Sequence, residues 1–295
     1  MSLLPPQVAA WVEEALGREA WIVDMGGVTG AHLNAVHTVD AMVGRAGVVP
    51  FIVKRFPDES REEQQRAVER ESTHLELLAA TAVPAPRLIA VDVTGEQAGE
   101  PAVLMERMPG AVVLDPADRL PWLRSMAALL PTVHAVEVPT EVEVRPFFVY
   151  TNVAELDLPI WTADPALWDF VLATAGGRAP AVSQGFIHRD FHPGNMLWRT
   201  GGLSALIDWE PASIGPLAMD LAHCRLNVAQ LHGAAAADEL LDAYGSVVGS
   251  TEHDPYFDLL AVVETLPQAA PPYGGSPTEN RAKLETYVRS VVRRF

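Results

Sequence analysis

The amino-acid sequence predicts an α+β fold in two parts, an N-terminal lobe of antiparallel sheet plus helix (residues 1–108) and a mainly helical C-terminal lobe (residues 109–295). Three observations carry this. Residues 21–56 hold three apolar runs of strand length separated by turns. Residues 58–80 then change to a helical period, and beyond Gly110 apolar residues recur mostly at spacings of three and four.

Taken in order, Val8, Trp11, Val12, Ala15 and Leu16 mark a first helix, started by Pro5-Pro6. Trp21 to Met25 reads as a strand that ends in Gly26-Gly27-Val28-Thr29-Gly30. His32 to Val39 and Val48 to Phe56 follow as strands, with a turn over Gly44 to Gly47, which makes an antiparallel meander. Asp58 or Ser60 can cap the next helix, whose Val68, Glu71, Leu75 and Leu78 share one face. Pro84 and Pro86 end it. Arg87 to Asp92 and Ala102 to Met105 are two further strands, and Met108-Pro109-Gly110 marks the lobe boundary. In the second lobe, helices are expected over Pro121–His134, Pro165–Thr174, Leu217–Leu231, Asp238–Val248, Pro255–Leu266 and Glu279–Phe295. Ala269 to Pro277 reads as a loop, and Val138 to Leu158 is irregular and carries Phe147, Phe148 and Tyr150.

The totals exclude several classes. Hydrophobic residues at 49% and charged residues at 20% describe a globular chain rather than a disordered one. No window approaches the roughly 18 unbroken apolar residues of a membrane helix, and the N-terminus lacks a secretory signal, so the cytoplasm is expected. The lone Cys224 leaves no disulfide framework and no cysteine-based zinc site. A net charge of −17 argues against nucleic acid as a partner. That charge is uneven: residues 109–280 carry 7 Lys/Arg against 21 Asp/Glu, a field of one sign that can steer a cationic substrate.

Chemistry concentrates in Ile187-His188-Arg189-Asp190-Phe191-His192-Pro193-Gly194-Asn195 and in Leu206-Ile207-Asp208-Trp209. Asn195 follows Asp190 by five positions, and Asp208 follows Asn195 by thirteen. Pro193-Gly194 forbids a continuous helix, so Asp190 and Asn195 sit on a tight loop. A carboxylate there can accept the proton of an attacking hydroxyl. An amide oxygen five residues on, with a carboxylate at the end of the strand Leu203–Ile207, can ligate Mg²⁺. Lys54 ends the most apolar strand of the first lobe, where an ammonium is costly unless it meets an anion. Glu71 lies on the apolar face of its helix, and a Lys54–Glu71 ion pair would satisfy both. The Gly26–Gly30 segment could lay backbone N–H groups along phosphates, although a hairpin turn would look the same.

A metallohydrolase competes for His188-x-Asp190-x-His192, but the other seven histidines show no second ligand cluster of known spacing. Histidines that brace the loop are the simpler account. Asp220, at the start of a helix, reads as a further support of that loop.

With these residues in place the chain resembles the aminoglycoside phosphotransferase family, small-molecule kinases of protein-kinase-like fold. The resemblance runs through Gly26–Gly30, Lys54, Arg70-Glu71, Val103 to Gly110, His188 to Asn195, Ile207 to Glu210, Gly215 and Asp220-Leu221-Ala222. It implies Asp190 as catalytic base, Asn195 and Asp208 as Mg²⁺ ligands, and Lys54 as phosphate contact paired to Glu71. It also implies phosphate contacts from Gly26, Gly27 and Thr29, and a hinge at Glu106 to Met108 whose backbone receives the purine of ATP or GTP. Two departures stand out. Arg189 occupies a position where many members have glycine, and Thr29-Gly30 stands where Ser-Asn is common. The expected function is transfer of a γ-phosphate to a small-molecule hydroxyl, an aminoglycoside or another amine-bearing alcohol among the acceptors. The competing expectation is a catalytically silent nucleotide-binding or scaffold protein, against which the intact Lys54, Asp190, Asn195 and Asp208 speak.

Overall fold

The structure is a computed structural model that describes residues 4–28, 35–57, 59–250, 253–266 and 276–295. The chain divides into two compact units, residues 1–110 with 204–211, and residues 111–203 with 212–295. Each has its own core.

The first unit is a five-stranded antiparallel sheet, in spatial order β1 (Ala20–Gly27), β2 (Ala35–Val43), β3 (Val48–Arg55), β5 (Ala102–Glu106) and β4 (Leu88–Asp92), with two helices. Helix α1 (Pro6–Leu16) begins behind Pro5 and buries Val8, Trp11 and Val12. These side chains pack on Val39 and Ala41 of β2 (Ala35–Val43), Phe51 and Val53 of β3 (Val48–Arg55), and Ala102 and Leu104 of β5 (Ala102–Glu106). Strand alternation then turns Ile52 and Lys54 to the opposite face. Strand β1 (Ala20–Gly27) pairs with β2 and runs two residues past Met25, because Gly26 and Gly27 continue the ladder opposite Thr38 and His37. Strand β4 (Leu88–Asp92) closes the far edge beside β5. Helix α2 (Arg61–Leu78) starts where the Ser60 hydroxyl accepts the Glu63 N–H at 3.3 Å, with Glu62 and Glu63 favourable at the positive end of the helix. The alternative cap, Asp58, lies outside the described residues, as do Thr29, Gly30 and residues 267–275.

The second unit holds helices α3 (Arg119–His134), α4 (Pro165–Ala175), α5 (Ala218–His232), α6 (Ala234–Val248), α7 (Pro255–Thr265) and α8 (Pro277–Val292). Its short strands are β6 (Ala111–Val112), β7 (Gln184–Ile187), β8 (Met196–Arg199), the start of β9 (Gly202–Leu206) and β10 (Ser213–Pro216). The core is built from Trp168 and Val171 of α4, Met219, Ala222 and Leu226 of α5, Phe257 and Leu260 of α7, and Tyr287, Val288 and Val291 of α8. Helix α5 is buried on nearly every side, ten of its fifteen residues being inaccessible, so it is a fixed platform for whatever it carries. Strand β10 pairs antiparallel with β7, joining Ser213 to Ile187 and Pro216 to Gln184. Gly215 lets the Phe147 segment, whose N–H reaches the Ile214 carbonyl at 2.8 Å, lie against β10: a Cβ there would overlap the Phe147 Cβ. The α+β expectation is met, with one main antiparallel sheet and eight helices among the described residues.

Candidate active site

The predicted site residues form two clusters, one in each unit. In the first unit Lys54 is buried, and its ammonium donates to Glu71 Oε2 and to Asp208 Oδ1, both at 2.5 Å. Burial alone would lower the Lys54 pKa; the Asp208 and Glu71 carboxylates outweigh it and raise the pKa, so the side chain is a cation. Two of its three N–H bonds are thus committed, and the third can meet an anionic ligand.

The segment after Asp208 is held by α2 at three points. Glu71 accepts the backbone N–H groups of Trp209 at 3.3 Å and Glu210 at 3.1 Å. His74 Nδ1 bonds the Trp209 carbonyl at 2.7 Å, and Arg70 Nε donates to Glu210 Oε1 at 2.5 Å. Asp208 itself adopts φ +69°, a conformation costly for a residue with a Cβ. The clamp of α2 is what fixes it there. Glu210, whose sequence context left it between a site acid and a solvated one, is an ion-pair partner of Arg70.

Other predicted contacts of the first unit lie on the sheet. Gly26 and Gly27 sit in the β1–β2 ladder, and the Thr38 hydroxyl donates to the Gly26 carbonyl at 3.3 Å. Glu106 ends β5, its N–H given to the Arg87 carbonyl at 2.9 Å, and the Arg107 N–H reaches the Pro50 carbonyl at 3.3 Å. Met108 follows directly. Thr29 lies outside the described residues.

In the second unit, β7 delivers the chain into the loop His188–His192, and a 3₁₀ turn over Pro193–Asn195 leads it out into β8. Asp220 of α5 is fully buried under this loop. It accepts the backbone N–H of His188 at 2.9 Å and of Arg189 at 2.8 Å, with His134 Nε2 at 3.2 Å. Burial opposes its charge, but His134, then His188, prevail and hold its carboxyl below the usual aspartate range. Asp220 is therefore the support of the loop that its place at a helix start indicated.

Arg189 has φ +72°, the left-handed region in which glycine is unstrained. Its guanidinium explains why arginine is tolerated. It donates to Glu264 Oε1 at 2.5 Å and to the Phe148 carbonyl at 3.3 Å, and stacks on Phe147 and Tyr150 at 4.7 and 4.4 Å.

Asp190 is surrounded by donors. Asn195 Nδ2 donates to its Oδ2 at 2.8 Å and to its carbonyl at 3.0 Å. His192 Nε2 stands 3.4 Å from Oδ2 and His223 Nε2 3.1 Å from Oδ1. Burial works against the charge, yet His192 and His223 outweigh it and hold the carboxyl well below the usual range. Both amide N–H bonds of Asn195 point to Asp190, so its Oδ1 is the atom left for a cation. Asp208 likewise keeps one carboxylate oxygen beyond the one that Lys54 takes. An amide oxygen and a carboxylate oxygen are each a donor of the kind that Mg²⁺ prefers.

The ligand atoms of Asp190, His192 and His223 lie within 4.8 Å of one another, close enough for a metal. The tautomer decides otherwise. The Gly194 N–H donates to His192 Nδ1 at 3.0 Å, so the proton of the neutral ring is on Nε2 and points at Asp190. A protonated Nε2 is a hydrogen-bond donor, not a ligand. His188 Nδ1 similarly accepts the Asp190 N–H at 3.3 Å. These histidines brace the loop.

Sequence reasoning missed His223. The signal available was its position three residues after Asp220, which puts both on one face of α5. His74 was missed too, one turn beyond Arg70 on α2.

A family model described as the phosphotransferase enzyme family matches residues 35–259. No curated protein matches the chain. Among solved structures, a protein of Ralstonia eutropha JMP134 provisionally assigned as an aminoglycoside phosphotransferase superposes with a TM-score of 0.64 at 15% identity. That alignment covers 97% of this chain and 95% of that one. A thermostable mutant of aminoglycoside phosphotransferase APH(4)-Ia, in ternary complex with AMP-PNP and hygromycin B, gives 0.63 at 16% identity and 98% of both chains. The GDP complex of a point mutant of an aminoglycoside 2'-phosphotransferase gives 0.62 at 15% identity, over 92% and 90%. These likenesses show the fold, which is the protein-kinase-like fold of aminoglycoside phosphotransferases.

Proposed function

Because the chain belongs to the phosphotransferase enzyme family, whose model spans residues 35–259, we propose that it moves the γ-phosphate of ATP or GTP to a hydroxyl of a small molecule. The observation that carries this reading is the buried Lys54 cation, gripped by Glu71 and Asp208 with one N–H left for a phosphate oxygen. A buried ammonium tied to two carboxylates is costly to keep for stability alone. It is useful where negative charge must be bound and positioned.

In this proposal Asp190 receives the hydrogen bond and finally the proton of the acceptor hydroxyl. Asn195 and Asp208 supply the oxygen ligands of Mg²⁺, which when bound neutralises charge on the phosphates. Gly26, Gly27 and Thr29 contribute phosphate contacts, and the backbone around Glu106 to Met108 receives the purine. A carboxyl held far below its usual pKa is a weak base. That suits a phosphoryl transfer whose transition state is loose, where orienting the hydroxyl matters more than pulling its proton off early.

The acceptor is drawn from hydroxylated amines. The excess of 21 Asp/Glu over 7 Lys/Arg in residues 109–280 supports this, as does hygromycin B in one structural neighbour. No helix among the described residues is long and apolar enough to cross a membrane.

The test is a screen of aminoglycosides, other amino alcohols, macrolides and sugars for acceptor-dependent consumption of Mg·ATP and Mg·GTP. Consumption with one class is expected. Asp190→Ala should abolish it while leaving nucleotide affinity within about twofold. Consumption by no class, with nucleotide still bound, would favour the silent nucleotide-binding protein instead.

A further inference from the structure

The Asp190 carboxylate is occupied unevenly. An ionised carboxylate offers about four acceptor positions, two on each oxygen. Oδ2 accepts from Asn195 Nδ2 at 2.8 Å and has His192 Nε2 beside it at 3.4 Å. Oδ1 meets His223 Nε2 at 3.1 Å, and among the described residues no other group reaches it. The Asp190 side chain is nevertheless 33% exposed. The open position is therefore on Oδ1, the oxygen that His223 holds.

We propose that His223 is a positioning residue that turns Oδ1 of Asp190 to the acceptor hydroxyl and keeps it there. This rests on the phosphotransferase reading and adds which oxygen acts and what aims it. The mounting is rigid. His223 and Asp220 are three residues apart on α5, a helix buried on nearly every side, so one helix face grips the loop backbone through Asp220 and the reacting carboxylate through His223. The two histidines divide the carboxylate between them, and a rotation of the side chain would break both contacts at once.

The direction of the His223 hydrogen bond follows from charge. A lone pair on Nε2 would face an ionised oxygen, so Nε2 carries the proton and donates. His223 therefore cannot take up the acceptor's proton at that nitrogen. In the step it serves, the acceptor oxygen bonds to the γ-phosphorus while the bond from phosphorus to the β–γ bridging oxygen breaks. The bonding pair leaves with the nucleoside diphosphate, and the hydroxyl proton passes to Oδ1 of Asp190, from which solvent recovers it.

Four chains with the probe Mg·ATP and water as acceptor decide the matter: wild type, His223→Ala, His223→Gln and, as the zero, Asp190→Ala. Glutamine places an amide N–H near the position of Nε2. His223→Ala should lower kcat about 100-fold, the scale of a misaligned reacting group, with the KM for Mg·ATP and the melting temperature little changed. His223→Gln should recover about tenfold of that loss. Nitrogen NMR of the ligand-free protein should show His223 as the Nε2–H tautomer, with that resonance moved in Asp190→Ala. Turnover in His223→Ala equal to wild type, no recovery in the glutamine variant, or an Nδ1–H tautomer would each overturn the role. A wild-type chain that consumes no nucleotide with water or any screened acceptor overturns the phosphotransferase reading and this inference together. A chain whose turnover is lost in Asp190→Ala and kept in His223→Ala overturns this inference alone.

Discussion

At Arg189 two effects of opposite sign meet, and their magnitudes decide the outcome of removing the side chain. Glycine would relieve the strain of φ +72°, worth about 1–2 kcal/mol. It would also strand Glu264, whose side chain is 7% exposed and whose carboxylate accepts from Arg189 Nη2 at 2.5 Å. Leaving a buried charge unpaired costs about 3–5 kcal/mol, and the stacking on Phe147 and Tyr150 is lost as well. Arg189→Gly should therefore be destabilised by about 2 kcal/mol in urea denaturation. A gain in stability would show that the Glu264 pair contributes nothing. The same logic explains why the departure at this position was legible but its consequence was not. The sequence displays an arginine at this position; only the folded chain brings it the rings of Phe147 and Tyr150 and the acid Glu264 of α7 that make it tolerable.

Among elements, α5, α7 and α8 meet at one carboxylate. Asp258 of α7, fully buried, accepts from Arg225 Nε of α5, His253 Nε2, Tyr287 OH of α8 and Arg294 Nη1, each at 3.0 Å. Burial disfavours the charge, but His253, Arg225 and Arg294 overcome it and depress the carboxyl strongly. The folded pKa lies below the unfolded one, so the stabilisation is complete above the ordinary aspartate range near pH 4. It is lost as pH falls from there toward the depressed folded value. Asp258→Asn should lose about 3–5 kcal/mol at pH 7, because Arg225 stays buried with only the exposed Asp238, at 3.3 Å, left as a counter-charge. Its stability should also fall less steeply than that of wild type below pH 4. Parallel slopes of urea stability against pH for the two proteins would remove the linkage. Periodicity alone located all three helices, yet it gave no hint that an acid, two arginines, a histidine and a tyrosine from distant segments would converge.

At the scale of the whole molecule, the chain assigns residues 204–211 to the first unit although 93 residues separate them from Gly110. That segment carries Leu206 and Trp209, both fully buried, together with Asp208, and its N–H groups complete the bonding of Glu71. A fragment of residues 1–110 therefore lacks two core side chains and a counter-charge of Lys54. It should unfold without a cooperative thermal transition, and tethering residues 204–211 to its C-terminus by a flexible linker should restore one. A sharp transition in the bare fragment would show that the segment is dispensable to the first unit's core.

Local information carried far in this protein, for identifiable reasons. The switch from alternation to helical spacing placed the meander and α2. Ser60 marked the start of α2, and Pro193-Gly194 forced Asp190 and Asn195 onto a tight loop. Lys54 and Glu71 advertised each other because each is a charge on an apolar face. Their ion pair is present at 2.5 Å. Short pieces escaped: β10 is four residues long, and β1 continues through Gly26 and Gly27, which sequence reading makes a turn. The sequence by itself determined which residue types stand in the loop and their spacing, because these depend on neighbours in the chain. Tertiary structure decided that α2 would clamp Asp208 through Glu71 and its neighbours Trp209 and Glu210, that Glu210 would answer Arg70, and that His223 would meet Asp190 Oδ1. Those contacts join residues 33 to 140 positions apart. Only the closing of long loops brings such residues together, and no periodicity along the chain records it.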